Sequence, residues 1–260
     1  MARQAARIDV EGVAVDFGEG TDRVGALRDA SLAVEPGEFV SIVGESGCGK
    51  TTLLRAIAGL VPPTLGSIRI GTQTVDRPLP EIGFVFQKPV LLDWRRVLEN
   101  VLLPVEIDGG SVRERRVDAL QLLRSVGLEG FARRYPRQLS GGMQQRVCIA
   151  RTLLSDPSVL LMDEPFGALD AITREQMNLD LLNLWAARRP TCVFVTHDIP
   201  EAVFLSDRVV LMSPRPGRVH RVFEVDLPRP RTLETRLGTE LNNIAREIRL
   251  AMQAGERQAA

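Results

Sequence analysis

Eleven residues, SIVGESGCGKT at 41–51, constrain this 260-residue chain more than any other stretch. An apolar run ends in Gly44, four positions intervene, and Gly49-Lys50-Thr51 open an apolar-periodic segment, TLLRAIAGL. The spacing is G-x-x-x-x-G-K-[ST], set between a strand and a helix as the chemistry requires. Glycines let successive backbone N–H groups close around an anion, and the helix N-terminus adds its partial positive charge. Lys50 offers a compact point charge to β- and γ-phosphates, and the Thr51 hydroxyl is a ligand suited to Mg²⁺. The chain has only two lysines, Lys50 and Lys88, among 33 cationic residues. Chance therefore produces the pattern in about one shuffled chain per thousand. The stretch predicts a nucleoside triphosphate and an α/β fold around it. Cys48 reads as a small spacer inside the loop.

The rest of the chain agrees with that fold class. VAVDF, SLAV and EFVSIVG read as strands, with TDRVG a turn between the first two; SIRIG and IGFVF return to strands. Apolar residues three and four apart predict helices in VLENVLLPVEI, VRERRVDALQLLRSVGL and GGMQQRVCIARTLL. PSVLLMD, a helix over 171–188, TCVFVT, a short helix at PEAVFLS, and RVVLMS then alternate as in a parallel sheet with crossover helices. The helical stretch at about 90–155 interrupts that alternation and is long enough for a subdomain. Beyond Ser213, PRPGR and LPRPR bracket a strand-like VHRVFEV. From Leu233 the tail reads as helical, with Leu237, Leu241, Ile244, Ile248 and Met252 on one stripe. Such a helix either packs on the domain or binds a partner.

Cations and anions are equal at 33 each, so no global field draws nucleic acid. Three cysteines, an odd number without a CxxC pair, read as reduced thiols. The N-terminal MARQAARIDVEG has no apolar core of a signal peptide, and no apolar run approaches the ~18 residues of a membrane span. The expectation is a cytoplasmic protein that reaches a membrane only through a partner.

Val159-Leu-Leu-Met-Asp163-Glu164-Pro165 is an apolar strand ending in two carboxylates. Beside a phosphate loop, Asp163 suits the Mg²⁺ shell, and Glu164, one residue past the strand, suits orienting and deprotonating a water. His197 ends a second apolar strand and points to a γ-phosphate contact. Gln87 follows the strand IGFVF and could reach both metal and water. Ser140 precedes two glycines at a helix start in LSGGMQQR. That makes a second anion-binding N-terminus almost a hundred residues after the first.

Together these residues resemble the ATP-binding subunits of ABC transporters. GESGCGKTT resembles the Walker A loop, Gln87 the Q-loop, LSGGM the signature and VLLMDEP the Walker B strand. GALD at 167–170 resembles the D-loop and His197 the switch histidine. The resemblance spans about residues 8–225, with every motif in order. It implies a P-loop NTPase fold of the ABC type, with a mixed, largely parallel core sheet, an N-terminal antiparallel β subdomain and a helical subdomain. The ATP-binding domain would be 1–232, followed by a helical tail at 233–260. It implies ATP and Mg²⁺ as ligands, with nucleotide contacts at Gly44, Glu45, Ser46, Gly47, Cys48, Gly49, Lys50, Thr51 and Thr52. Mg²⁺ would be held by Thr51, Gln87 and Asp163; Glu164, His197 and Gln87 would serve hydrolysis. Phe17 matches the position that stacks on adenine; its other reading is a core residue.

The family works as a head-to-tail pair in which each ATP lies between the Walker A loop of one copy and the signature of the other. Ser140, Gly141 and Gly142 would then contact the γ-phosphate bound to a second copy, and Asp170 of the D-loop would be a further nucleotide-binding residue. Met143 stands where many relatives have Gln, with no loss of activity expected.

LLDWRRVLENVLLPVEI, SPRPGRV and LPRPR are similar to the nitrate, sulfonate and taurine importer ATPases. That similarity implies membrane permease subunits as partners and, indirectly, a periplasmic or lipid-anchored solute-binding protein. The location would be peripheral, on the cytoplasmic face of the membrane. Leu91, Leu92 and Trp94 would line the groove for the permease, Trp94 being otherwise a core residue. A soluble ABC ATPase of DNA maintenance or translation fits less well, since only 52 positions part Gln87 from Leu139 and one cassette is present. A kinase or GTPase would have no use for LSGG. An exporter remains open, because direction lies largely in the membrane subunit.

Overall fold

The computed structural model describes residues 4–18 and 22–259. Alternating small and β-branched residues pair the first two strands. β1 (Ile8–Phe17) and β2 (Val24–Val34) run antiparallel, from Ile8 opposite Val34 to Phe17 opposite Val24. Of the predicted turn TDRVG, Thr21 lies outside the described residues, while Val24 and Gly25 already belong to β2. β3 (Phe39–Val43) leaves for a second sheet. β4 (Leu65–Ile70) and the two-residue β5 (Gln73–Thr74) complete an antiparallel sheet in the order β2-β1-β4-β5.

The second sheet adds β6 (Ile82–Val85), β7 (Val159–Asp163), β8 (Thr191–Val195), β9 (Arg208–Met212) and β10 (Val219–Glu224) in the order β10-β9-β3-β8-β7-β6. All of its pairs are parallel except β10 on β9. β3, β7 and β8 are buried on both faces, which is why they read as unbroken apolar runs.

Period-two alternation sorts these strands between two cores. Val40, Ile42, Val159, Leu161, Val193 and Val195 join Leu53, Leu54 and Ile57 of α1 (Lys50–Ile57) and the inner face of the antiparallel sheet. Phe39, Val43, Leu160, Met162, Cys192 and Phe194 face the other way. There they meet α2 (Val97–Ile107), α3 (Val112–Ser125), α4 (Gly141–Leu154), α5 (Ala171–Arg188) and α6 (Ile199–Leu205). Trp185 of α5 anchors this core. Its ring stands edge-on to Phe39 with centroids 5.6 Å apart, and its Nε1–H donates to the Pro190 carbonyl at 2.9 Å. Such a pair adds about 1 kcal/mol beyond area burial.

The tail differs from the single stripe expected. Gly238, in extended conformation, separates α7 (Leu233–Leu237) from α8 (Thr239–Ala259). Leu237 ends the first helix and is exposed; Leu241, Ala245 and Ile248 are buried, with Ile244 and Met252 packed at the margin. A break of one residue turns the second helix to a new phase, so Leu237 drops out of the stripe. Arg231, buried just before α7, donates to the carbonyls of Val203, Phe204 and Ser206, tying the tail to the end of α6. Among the described residues no helix is long and apolar enough to cross a membrane.

Candidate nucleotide-binding and hydrolysis site

The loop between β3 and α1 is shaped by left-handed backbone. Gly49 has φ +107°, and a Cβ there would lie 2.8 Å from the Ala26 carbonyl oxygen; only glycine serves. The loop folds over Lys50, whose Nζ donates to the carbonyls of Gly44 at 2.9 Å and Glu45 at 2.8 Å. Cys48 is buried beneath, its N–H donating to the Glu45 carbonyl at 3.3 Å. Burial pushes its thiol pKa up, so it stays protonated, as a spacer should.

Above the loop lies a cavity of about 400 Å³. Its walls are Phe17, Ala26, Ser46, Gly47, Gly49, Lys50, Thr51, Thr52, Gln87, Glu164 and Arg215. Gly44, Glu45 and Cys48 are absent from that wall. The Gly44 and Glu45 carbonyls hold Lys50 from their side of the loop. Phe17, at the end of β1, is 46% exposed, so its core reading is wrong; it lines the cavity.

Three strand ends meet opposite. At the end of β7, Asp163 Oδ1 accepts from the Thr51 hydroxyl at 2.9 Å. Burial is the main cause that pushes the Asp163 carboxyl pKa up, opposed by that hydrogen bond and the nearby cations. Glu164 takes φ +42°, rare for a residue with a side chain. Its N–H still donates to the Val195 carbonyl at 2.9 Å, so the ladder with β8 runs one residue past the strand. The turn carries the carboxylate toward Gln87, whose Nε2 lies 3.4 Å from Glu164 Oε2, and toward His197, whose Nδ1 lies 3.2 Å from the same oxygen. The residues before and after His197 are braced. Thr196 Oγ1 donates to buried Glu201, and the Asp198 carboxylate meets Arg174 at 3.2 Å.

The donor set fits Mg²⁺. A hydroxyl and a carboxylate already share one place, and Mg²⁺ takes few protein oxygens, completing its shell with phosphate and water. Among the described residues no group of three or more His, Cys, Asp or Glu could cage a metal alone.

LSGGMQQR stands apart. Ser140 caps α4, its Oγ accepting from the Met143 N–H at 3.3 Å. Ser140, Gly141, Gly142 and Asp170 line a separate cavity of about 240 Å³. None of the four is on the phosphate-loop cavity; Gln87 alone of the expected site residues is on both. Asp170 caps α5 by accepting from the Thr173 N–H at 3.0 Å, and hydrogen bonding to the Thr173 side chain, then to that N–H, holds its carboxyl below the usual range.

Sequence reasoning missed Ala26, Arg215 and Gln145. Arg215 sat inside SPRPGRV as a likeness without a role. Gln145, in the signature helix, donates to the Phe86 carbonyl at 3.1 Å, a link between distant segments that no spacing announces. Trp94 is 74% exposed, so its core reading also fails.

Residues 27–167 match the family model described as ABC transporter. The chain belongs to the ABC transporter family, and within it to the ATP-hydrolysing subunits. It is 48% identical over 229 residues to an uncharacterized ABC transporter ATP-binding protein of Methanocaldococcus jannaschii, covering 88% of this chain and 86% of that one. It is 44% identical over 225 residues to the aliphatic sulfonates import ATP-binding protein SsuB of Bacillus cereus, covering 86% and 88%. Among solved structures it superimposes on a dimeric bacterial ABC transporter cassette with TM-score 0.75 and 37% identity. A dimeric post-hydrolysis ATP-binding cassette with ADP and Pi bound gives TM-score 0.73 and 34% identity. Each alignment spans 85% of this chain and all of the other.

Proposed function

We propose that this chain drives an importer for a small anionic solute of the sulfonate or nitrate kind. It works as a head-to-tail pair on the cytoplasmic face of the membrane, under a separate permease. The observation that carries the paired arrangement is the separation of the two anion-binding helix starts. The N-terminus of α1 opens into the large cavity, while that of α4, with Ser140, opens into another. A pair that exchanges these faces gives each nucleotide both. The dimeric cassettes support this, and the relative named for aliphatic sulfonate import supports the direction and solute class.

In this reading Lys50 and the N–H groups of the loop hold the triphosphate, and Phe17 stacks on the base. Glu164 orients the attacking water and takes its proton, with Gln87 and His197 fixing the carboxylate. Bound between Thr51 and Asp163, Mg²⁺ would neutralise charge on the β- and γ-phosphates. Ser140 of the second copy donates to the γ-phosphate, so closure of the pair completes the site. Leu91, Leu92 and Trp94 receive the permease.

Reconstitution with the cognate permease and solute-binding protein tests the solute. Uptake of an aliphatic sulfonate or nitrate that stops with Lys50→Ala is expected. Uptake of neither, with transport of an unrelated solute, overturns the solute class and leaves the ATPase standing.

A further inference from the structure

The motif SPRPGRV has no part in the hydrolytic machinery, yet it places one cation on the wall of the nucleotide cavity. Arg215 is exposed, at the tip of the turn that joins β9 to β10. That turn is sewn to β2. The Gly217 N–H donates to the Ala26 carbonyl at 2.9 Å, and the Arg28 N–H donates to the Gly217 carbonyl at 3.0 Å. A Cβ on Gly217 would lie 2.0 Å from the Cys48 carbonyl oxygen. The turn is therefore pressed directly against the phosphate loop, and only glycine permits it.

The guanidinium is aimed as well as carried. Arg215 Nε donates to the Gly25 carbonyl at 3.1 Å. Gly25 is the partner of Asp16 across the β1–β2 ladder, and Val24 is the partner of Phe17. The anchor thus lies one step along the ladder from Phe17, and both Phe17 and Arg215 are on the cavity wall. One of five N–H donors is used by that anchor, leaving the Nη groups for a ligand. Guanidinium is planar and stacks on or hydrogen-bonds to flat, acceptor-rich groups.

We propose that Arg215 is a nucleotide-binding residue for the nucleoside end of ATP. It closes on the base and ribose from the β9–β10 turn while Phe17 supplies the aromatic face. This rests on the cavity being the ATP site. It assigns to the turn a role in nucleoside recognition, separate from triphosphate binding by the loop.

The test compares wild type with Arg215→Ala and Arg215→Lys. It measures steady-state ATP hydrolysis and competition by inorganic tripolyphosphate, which has the phosphates and no nucleoside. For Arg215→Ala the KM for ATP rises about five- to tenfold with kcat within twofold, while the tripolyphosphate inhibition constant stays unchanged. Arg215→Lys recovers only part of the loss, because charge without a planar fork is insufficient. An unchanged KM overturns the proposal. So does equal weakening of tripolyphosphate, which would make Arg215 a phosphate ligand, or a fall in kcat alone. Lys50→Ala is the control for the underlying reading. If it hydrolyses ATP normally, the cavity is not the ATP site; if it is dead and Arg215→Ala is unaffected, only the role of Arg215 fails.

Discussion

Removing the Glu164 carboxylate while keeping its shape should stop turnover and leave binding intact, and removing His197 as well should add little. Glu164→Gln is isosteric, and an unbranched side chain at φ +42° costs the backbone the same as before. A positioned general base contributes roughly 10²–10⁴ in rate. The expected loss is about 10³-fold in kcat, or about 4 kcal/mol of transition-state stabilisation. His197 reaches the same oxygen, Oε2, at 3.2 Å, and Gln87 approaches it at 3.4 Å. If His197 acts by fixing that oxygen, His197→Ala alone costs about 10²-fold, yet the double variant falls no further than Glu164→Gln. Independent action would multiply the losses to roughly 10⁵-fold. The assay is phosphate release at saturating Mg-ATP, with gel filtration in ATP to show that the Glu164→Gln pair still forms. Near-normal turnover of Glu164→Gln refutes its role as base. Multiplicative loss in the double variant refutes the shared-oxygen account of His197.

The same geometry carries three further outcomes. Ser140→Ala loses the cap on α4, about 1 kcal/mol of stability visible in thermal melts, and its homodimer loses hydrolysis. Mixing it with Lys50→Ala restores turnover, because one composite site of the mixed pair is intact; failure to restore it would sink the exchange of sites. Asp163→Asn removes a carboxylate whose folded pKa is raised by burial. Protonation of such a group favours the fold below its unfolded pKa, and that benefit is lost as pH rises through the folded value. Without nucleotide at neutral pH the variant should melt no lower than wild type, and the difference should shrink on acidification while Mg-dependent hydrolysis is lost; a lower melting temperature at neutral pH contradicts this. Trp94→Ala, at a side chain that is mostly in solvent, should shift stability by under about 0.5 kcal/mol and keep basal ATPase. ATPase stimulation by the permease should fall, and a fully coupled variant would remove Trp94 from that interface.

The strands and helices were legible because their signals are local. β3, β7 and β8 announce themselves as apolar runs, and α5 occupies the 171–188 predicted from spacing. The gathering of Gln87, Glu164 and His197 was legible in the family resemblance and as strand-end logic: parallel neighbours bring their carboxyl ends to one edge. The features that escaped depend on phase and pairing. Leu237 kept the helical interval, but an extended Gly238 reset the phase of α8. Arg215 reached the cavity through pairing between β2 and a turn nearly two hundred residues later, which no window of sequence contains.

Gln87 borders both cavities, and the Phe86 carbonyl just before it is fastened to Gln145 of the signature helix. The short segment after β6 is thus a party wall between two rooms. In a pair that exchanges faces, one room holds a molecule's own nucleotide and the other admits its neighbour's. Displacing the wall from either side changes the shape available on the other, so occupancy of one composite site is felt at the second. ATP dependence steeper than a simple hyperbola is the kinetic form that such sharing takes.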